Sequence, residues 1–598
     1  MILSCDIECY PNYLLVVFKR ISDGKYLVIE KFNDSPLDTA KLLRVMRNNT
    51  IITFNGNNYD IPVLSVAISN CDNATIKRYS DNLISGKFKP WNVIKDYTYL
   101  RHIDTVDLID VAPLKATLKI YGGRLHTKTI KDLPLEPDSI ISDSQRKILI
   151  EYCKNDVTIT AELYDNLEYH IKLRKMMGDE YGIDLRSKGD AKIAETIIVK
   201  EIENAGINVS DNSVECGTSY RYTPPEYIQF STPELREIYD QYCNGDYVVS
   251  ATGHIDFSGF KSKKYLLNGT EYTLGIGGIH SNEKSVAYYA ENSMEICDCD
   301  VTSYYPNIIL NNRYYPVHLG EVFYRVYKRI VSERIEAKKA GNKEKATALK
   351  IPINASFGKF GSKFSKMYSP NLVISVTITG QLALLMLIEK LESAGISVVS
   401  ANTDGIVCYY PADKREVRQK IIQQWSGITN YQMEETYYRI LASRDVNNYV
   451  AVKTDGSVKG KGAYADLNDD YYKLRSNPSA SICYEACRKF LSENILLDNT
   501  ILSCKDIRQF VSIRTVNGGA VYAGELIGKS IRYYHSSNSL ECFFYSDKIP
   551  TTAGHKVPDT DGTVPCMILP DTFPADIDYD WYLDRAKTVL NDLGVIYI

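Results

Sequence analysis

Near the N-terminus, Cys5-Asp6-Ile7-Glu8 sets two carboxylates two residues apart. In an extended strand such residues project from one face, so their charges repel unless a cation lies between them. Strand acids are common without an ion, and this pair gains chemical meaning from two later acids. Asp60 closes Phe54-Asn55-Gly56-Asn57-Asn58-Tyr59-Asp60, and Asp156 closes Tyr152-Cys153-Lys154-Asn155-Asp156. Four carboxylates can hold two hard cations ~4 Å apart, one activating water and the other stabilising a leaving oxygen, which is the chemistry of phosphodiester hydrolysis. Tyr152 and Asp156 are four residues apart and share a face if the segment is helical, which sets a phenol where it can orient the water. Lys115, Lys119, Arg124, Lys128 and Lys131 carry five positive charges with no acid among them. They form either a track for a phosphate backbone or a solvated face.

A second group lies mid-chain. Asp300 begins Asp300-Val301-Thr302-Ser303-Tyr304-Tyr305-Pro306-Asn307-Ile308 at the end of an apolar strand, and Asp404 stands in Asn402-Thr403-Asp404-Gly405, a tight turn between apolar runs. Two acids from separate strands make the smallest two-metal clamp for phosphoryl transfer. Between them, from Arg325 to Lys350, nine Lys or Arg stand against three Glu. Arg334 and Lys338 are four apart, as are Lys350 and Asn354, so two antiparallel helices can turn both faces toward one triphosphate. A solvent-exposed basic hairpin is the alternative.

The elements that must position these groups follow from pattern. Residues 1–18 and 51–54 are expected to be extended, and 144–174 has the length and polarity of an amphipathic helix. A further helix over 191–203 ends before Gly206. From 244 to 320 short β-like runs alternate with turns at Gly275, Gly277 and Gly278. Residues 323–361 are expected to form helix, turn and helix, with Gly341-Asn342 as the turn. Residues 370–465 return to α/β, with a helix around 381–391 and a strand pair around 402–409. A helix over 579–593 ends the pattern, and the whole is an α/β multidomain chain.

With 598 residues, 44% of them hydrophobic and 24% charged, the chain has material for two to four packed units. A net charge of -4 excludes a protein that coats nucleic acid with its whole surface, yet leaves room for local basic channels. Fourteen cysteines without a CxxC pair fit reduced thiols and indicate no zinc site. The N-terminus has no signal-like run, and no uninterrupted apolar segment reaches the ~20 residues that span a bilayer. A soluble, cytoplasmic protein without a membrane partner is expected.

The Asp-Ile-Glu strand, the Asn-x-x-x-Tyr-Asp element and the Tyr-x-x-x-Asp helix together resemble the three exonuclease motifs of family B DNA polymerases, the proofreading group with DEDDy chemistry. The resemblance implies that Asp6, Glu8, Asp60 and Asp156 are metal ligands, that Tyr152 orients water and that Asn55 contacts the primer end. Thr117-Leu118 is similar to a single-strand-binding element. Asp300 to Ile308 resembles polymerase motif A, and Lys350-Ile351-Pro352-Ile353-Asn354-Ala355-Ser356-Phe357-Gly358 resembles motif B. By this resemblance Asp300 and Asp404 hold catalytic magnesium, and Tyr305 is the steric gate against a 2'-hydroxyl. Arg334, Lys338 and Lys350 bind the incoming triphosphate, while Asn354 shapes the nucleotide pocket.

Motif C departs from the usual Asp-Thr-Asp-Ser, because Asn402 and Gly405 replace its first acid and its serine. In motif B, Ala355 and Phe357 stand where serine and tyrosine are common. Asn447-Asn448-Tyr449 resembles a Lys-x-Tyr primer-binding element that has lost its lysine and kept Tyr449. Lys459 and Lys461 would add phosphate contacts or form a charged turn. Gly277-Gly278-Ile279-His280 would touch the template between nuclease and palm, and Arg532 and Lys556 are further DNA contacts the resemblance suggests.

The resemblance implies an RNase H-like exonuclease domain over 1–185, followed by a right hand: linker and N-terminal palm over 186–320, a helical fingers hairpin over 321–370, palm continuation over 371–465, and thumb with the C-terminal region over 466–598. Short spacings between motifs A, B and C leave little room for the insertions of protein-primed relatives. A compact bacteriophage replicase acting in a host cytoplasm and using an ordinary primer is therefore expected, a monomer that takes primer-template DNA, dNTPs and Mg2+, with Mn2+ able to substitute. A primase, a single-strand-binding protein or a processivity factor would be its accessory partners. The alternative is a 3'-5' exonuclease whose polymerase-like module binds DNA without synthesis, since Asn402 removes one motif C acid.

Overall fold

The computed structural model describes residues 1–256, 264–275, 277–465 and 473–597. The chain divides into two compact units that are not consecutive in sequence. The first comprises Met1–Gly189, Leu467–Cys483 and Asp498–Asp584, and the second Asp190–Asp466, Tyr484–Leu497 and Arg585–Ile598. The C-terminal region expected over 466–598 is thus shared between them, with 466–472 outside the described residues.

In the first unit, a five-stranded sheet runs in the order β3-β2-β1-β4-β5. Its strands are β1 (Ile2–Tyr10), β2 (Tyr13–Arg20), β3 (Tyr26–Phe32), β4 (Thr50–Thr53) and β5 (Thr105–Asp107). The stretch expected to be extended over 1–18 is a hairpin. Tyr10 pairs with Tyr13, and Pro11-Asn12 makes the turn, where proline's fixed φ and missing N–H suit a chain reversal. β4 runs parallel to β1, and β5 parallel to β4.

The two-residue period sorts β1 between two layers. Leu3, Cys5, Ile7 and Cys9 pack with the helix Asp60–Ile68 and its neighbours, whereas the alternate residues, Tyr10 among them, face the long helix Asp143–Tyr181. Asp6 and Glu8 fall on that second face. The long helix starts at Ser142 in a reciprocal cap with Gln145 and stops at Gly182, whose φ of 65° is the left-handed end that glycine adopts without strain.

The C-terminal part of this unit is built on the hairpin Ser512–Tyr522 and Glu525–His535. Arg532, suggested as a DNA contact, is fully buried there. Its guanidinium donates to the carbonyls of Thr127 (2.7 Å), Lys128 (3.1 Å), Cys566 (2.6 Å) and Met567 (3.0 Å), so four of its five N–H donors hold backbone and its burial keeps it from a phosphate. Lys556 is engaged with Asp561 at 2.7 Å.

The second unit is organised by an antiparallel sheet in which Met294–Val301 lies between Met433–Asp445 and Gly405–Pro411. Beyond Gly405–Pro411 come Ser397–Asn402 and Ile279–Ser281, and beyond Met433–Asp445 come Asn448–Lys453 and Val458–Lys461. The basic segment is a hairpin of the helices Gly320–Lys339 and Lys343–Phe360. Gly341 takes φ 73°, and the Asn342 side chain caps the second helix by accepting from the Lys345 N–H at 3.0 Å.

Among the described residues the helix Pro370–Ser393 is long and apolar enough to cross a membrane, but 89% of its apolar window is buried inside this unit. It is a core helix, to which the Trp425 indole N–H donates at the Ala383 carbonyl (2.8 Å).

Candidate active sites

In the first unit, Asp6 and Glu8 meet Cys153 of the long helix, with ligand atoms of all three within 4.8 Å of one another. The Cys153 thiol lies 3.4 Å from Asp6 Oδ2. One helical turn on, Asp156 is ion-paired with Lys119, whose ammonium also lies 4.3 Å from the centre of the Tyr152 ring. Asp60 begins its helix with its carboxylate buried, and its Oδ1 has no hydrogen-bond partner.

These environments all disfavour ionisation. Burial and then the charge of Asp156 push the Asp6 carboxyl up to about 7, while Lys119 and Cys153 oppose the shift. Burial and neighbouring acids hold Glu8 and Asp60 well above the usual carboxylate range, and burial raises Asp156 despite Lys119. Four carboxylates, one orphaned buried oxygen and a lysine committed to one of them leave an excess of negative charge. The donor set therefore fits hard divalent cations.

The five-lysine-and-arginine track is corrected at two of its members. Lys119 is largely enclosed and spent on Asp156, and Arg124 is buried on the Leu474 carbonyl (2.7 Å) and Asn477 (2.9 Å), whereas Lys128 makes only an exposed pair with Asp571. Lys115 and Lys131 stay exposed. Thr117 caps the short helix Leu118–Arg124 that carries Lys119.

Sequence reasoning missed Asp107. This buried carboxylate accepts from the backbone N–H groups of Asn55 (2.7 Å) and Asn57 (2.9 Å). It thereby fixes the turn that presents Asn55, at φ 68°, and launches the helix of Asp60. The signal was the Asn-Gly-Asn-Asn run itself, a turn whose amides need an acceptor. Also missed was a largely apolar cleft of about 620 Å3 beside Tyr152, walled by Ile130, Ile148, Leu526 and Met567.

In the second unit, Asp300 ends its strand directly opposite Gly405, and Asp404 sits in the turn between the two neighbouring strands. A side chain at 405 would strike the Asp300 carboxylate, so glycine in place of the expected serine makes space for that acid. The turn is held from both sides. The Val301 N–H donates to the Asp404 carbonyl (2.7 Å), and the Thr403 N–H to the Ile279 carbonyl (2.9 Å). Gly278 comes so close to Thr403 that a β-carbon there would clash. The Gly277-Gly278-Ile279-His280 stretch thus leads into the strand Ile279–Ser281 behind the Asp404 turn, with His280 paired to Asn402.

Asp300 and Asp404 face a cavity of about 400 Å3 that is also lined by Tyr305, Arg334, Lys338, Lys350 and Asn354. Tyr305 donates to the Gly277 carbonyl (2.7 Å), and its ring centre lies 4.6 Å from that of Phe357, which fixes the ring as one wall. Arg334 donates to the Ser303 hydroxyl (3.2 Å), and its Nε is buried without a partner. Burial lowers its pKa, so the guanidinium gains from an anion in the cavity.

A second cavity of about 280 Å3 shares Asp300 and Asp404 and is lined by Asn402, Tyr449, Lys459 and Lys461. The Lys459 ammonium is held by Asp298 at 2.9 Å. Asn402 donates to the Val446 carbonyl (3.3 Å) and to the Asn447 side chain (3.2 Å), so the two positions where an acid and a lysine were expected hold two amides in contact. Burial and Asp298 push Asp300 up to about 6, and burial raises Asp404. Two carboxylates made reluctant to ionise, with open space on each side, fit divalent cations as well.

No family model matches the chain. DNA polymerase 1 of Sulfolobus acidocaldarius is 29% identical over 119 residues, which is 20% of this chain and 14% of that protein. DNA polymerase 1 of Aeropyrum pernix is 22% identical over 478 residues, 72% of this chain and 44% of that protein. Among solved structures, the family B DNA polymerase from Pyrobaculum calidifontis matches at 13% identity, covering all of this chain and 78% of the other with a TM-score of 0.41. The matched stretches span less than half the length of either curated relative. The chain is homologous to archaeal DNA polymerases.

Proposed function

We propose, from that homology, that the chain is a family B DNA-templated DNA polymerase with 3'-5' proofreading of the DEDDy type. The observation that carries the reading is the cavity on which Asp300, Asp404, Tyr305, Arg334, Lys338, Lys350 and Asn354 converge from a strand end, a turn, the short helix Tyr304–Asn311 and both helices of the hairpin. A cavity with two acids on one wall and three cations on another suits a nucleoside triphosphate that meets a metal-bound hydroxyl nucleophile.

Asp300 and Asp404 would hold Mg2+, or Mn2+ in its place, which supplies activation of the primer 3'-hydroxyl and neutralisation of the departing pyrophosphate. Arg334, Lys338 and Lys350 grip the triphosphate, and Tyr305, braced by Phe357 and the Gly277 carbonyl, fills the space a ribose 2'-hydroxyl needs. Tyr449 and Lys461 face the primer side in the second cavity. Template pairing chooses the base, so the protein's own DNA contacts go mainly to phosphates.

In the first unit, Asp6, Glu8, Asp60 and Asp156 would hold the ions of the nuclease, and Tyr152 orients the water. The mixed sheet with the long helix on its acidic face supports an RNase H-like assignment of 1–185, and the cleft beside Tyr152 offers apolar walls to unstacked bases at a strand end. By the same reading the central antiparallel sheet is palm, the Gly320–Phe360 hairpin fingers, and 466–598 contains the thumb. Primer-template DNA and dNTPs are the substrates.

A second reading has one observation in its favour. Asn402 replaces an acid and its amide is turned to Asn447, so the module could bind DNA without synthesis. Primer extension with Mg2+ separates the two. Longer products with dNTPs and shorter ones without them support the polymerase; shortening alone, in folded protein with Mg2+ or Mn2+, supports the nuclease with a binding module.

A further inference from the structure

Asp298 lies two residues before Asp300 on one strand, so both carboxylates project to the same side of the sheet. Unlike Asp300, Asp298 is buried, 6% exposed, where an unpaired carboxylate would be costly. Its Oδ2 accepts from the Tyr438 hydroxyl and, at 2.9 Å, from the Lys459 ammonium. That ammonium is also 3.2 Å from the Tyr438 oxygen and 3.9 Å from Asp300 Oδ2. Two acids therefore compete for one lysine, and the buried one has it. Lys461, on the same strand face as Lys459, looks into the same cavity with the Tyr449 ring beside both.

We propose that Asp298 is a positioning residue that anchors the Lys459 ammonium and so keeps Asp300 open to a divalent cation. The inference rests on the reading of Asp300 and Asp404 as the metal carboxylates of the palm. With Asp298 neutral, Lys459 loses its stronger anchor, and the nearest remaining anion is Asp300. An ammonium seated on Asp300 occupies a ligand oxygen and cancels the charge that attracts the ion, so the metal must displace it. The Asp298–Lys459 pair lines the same cavity as Asn402, whose amide is turned to Asn447, so Lys459 is a cation of that cavity already held by an acid other than Asp300 or Asp404.

The test counts Mn2+ bound, by electron paramagnetic resonance of the free ion, in full-length protein carrying D6A and E8A to remove binding at the first unit. In that background D404A should lose the palm ions, and D298N should bind them about fivefold or more weakly. The neutral pair D298N/K459Q should return to within about twofold of the parent, because the competing ammonium is gone. A crystal structure of D298N should place Lys459 Nζ on Asp300. Unchanged binding in D298N, or a double variant as weak as D298N, overturns the proposal. An unaffected D404A overturns the palm reading and the proposal with it, and so is told apart from failure of the proposal alone. If D298N does not melt cooperatively, K459Q alone decides: binding as tight as the parent or tighter is expected, and weaker binding overturns the proposal.

Discussion

The two carboxylate groups differ most in the positive charge that surrounds them. In the first unit Asp6, Glu8, Asp60 and Asp156 share Lys119, which is spent on Asp156. In the second, Asp300 and Asp404 look across one cavity at Arg334, Lys338 and Lys350, and across another at Lys459 and Lys461. An acid-rich site beside an apolar cleft suits the removal of a nucleotide from a strand that brings a single phosphate to be cut. A site walled with cations suits a substrate that arrives with three phosphates. Under the proposed function the same two-ion chemistry would serve both, and the flanking charge would favour a different substrate at each.

The contrast can be broken most strongly at the cationic wall. Lys350→Met should lower kcat/KM for dNTPs by ~10²- to 10³-fold while the rate of primer shortening is unchanged, measured by single-nucleotide incorporation and by exonuclease assay on the same preparation. Equal loss of both activities would mean that the wall does not belong to one site. Next, Tyr305→Ala should raise NTP incorporation relative to dNTP by about 10²-fold, scored as the ratio of the two kcat/KM values. An unchanged ratio would remove the steric role of that ring.

The reverse experiment acts on the first unit. Lys119→Met should slow shortening about tenfold and leave extension alone, because it strips Asp156 and Tyr152 of the cation that lies against both. The smallest effect concerns stability. Asp6, raised to about 7 in the folded protein from about 4 when unfolded, binds its proton more tightly when folded. Without divalent ions its contribution is fully present below pH ~4 and is lost as pH rises through 7. Mg2+ should therefore raise the melting temperature by ~2–4 °C at pH 7.5 and by much less at pH 5. Equal shifts at both pH values would argue against cation binding by these acids.

Much of the local structure was legible in the residues. The helix expected over 144–174 exists because Ser142 and Gln145 cap it and Gly182 can end it, and the basic hairpin turns where Gly341 and Asn342 permit. What escaped was the long-range pairing that decides which charges are free. Lys119, Arg124 and Lys128 look alike along the chain, yet one sits on Asp156, one on backbone and Asn477, and one on Asp571. Arg532 looks like a surface cation and is a strut between carbonyls. Asp107 is held by backbone amides, which no spacing announces, while Asp298 shares with Asp300 the two-residue spacing of Asp6 and Glu8 but its lysine lies far along the chain. The break of residues 1–18 at Pro11 was visible and was outweighed by the apolar run around it.

The central claim is that synthesis and removal belong to separate carboxylate groups. It is tested most directly on one labelled primer-template with Mg2+, with and without dNTPs, comparing the unmodified protein with Asp404→Ala and Asp6→Ala, each verified as folded. The unmodified protein should lengthen and shorten the primer, Asp404→Ala should only shorten it, and Asp6→Ala should only lengthen it. Lengthening by Asp404→Ala, or loss of both activities in either variant, would contradict the division of labour.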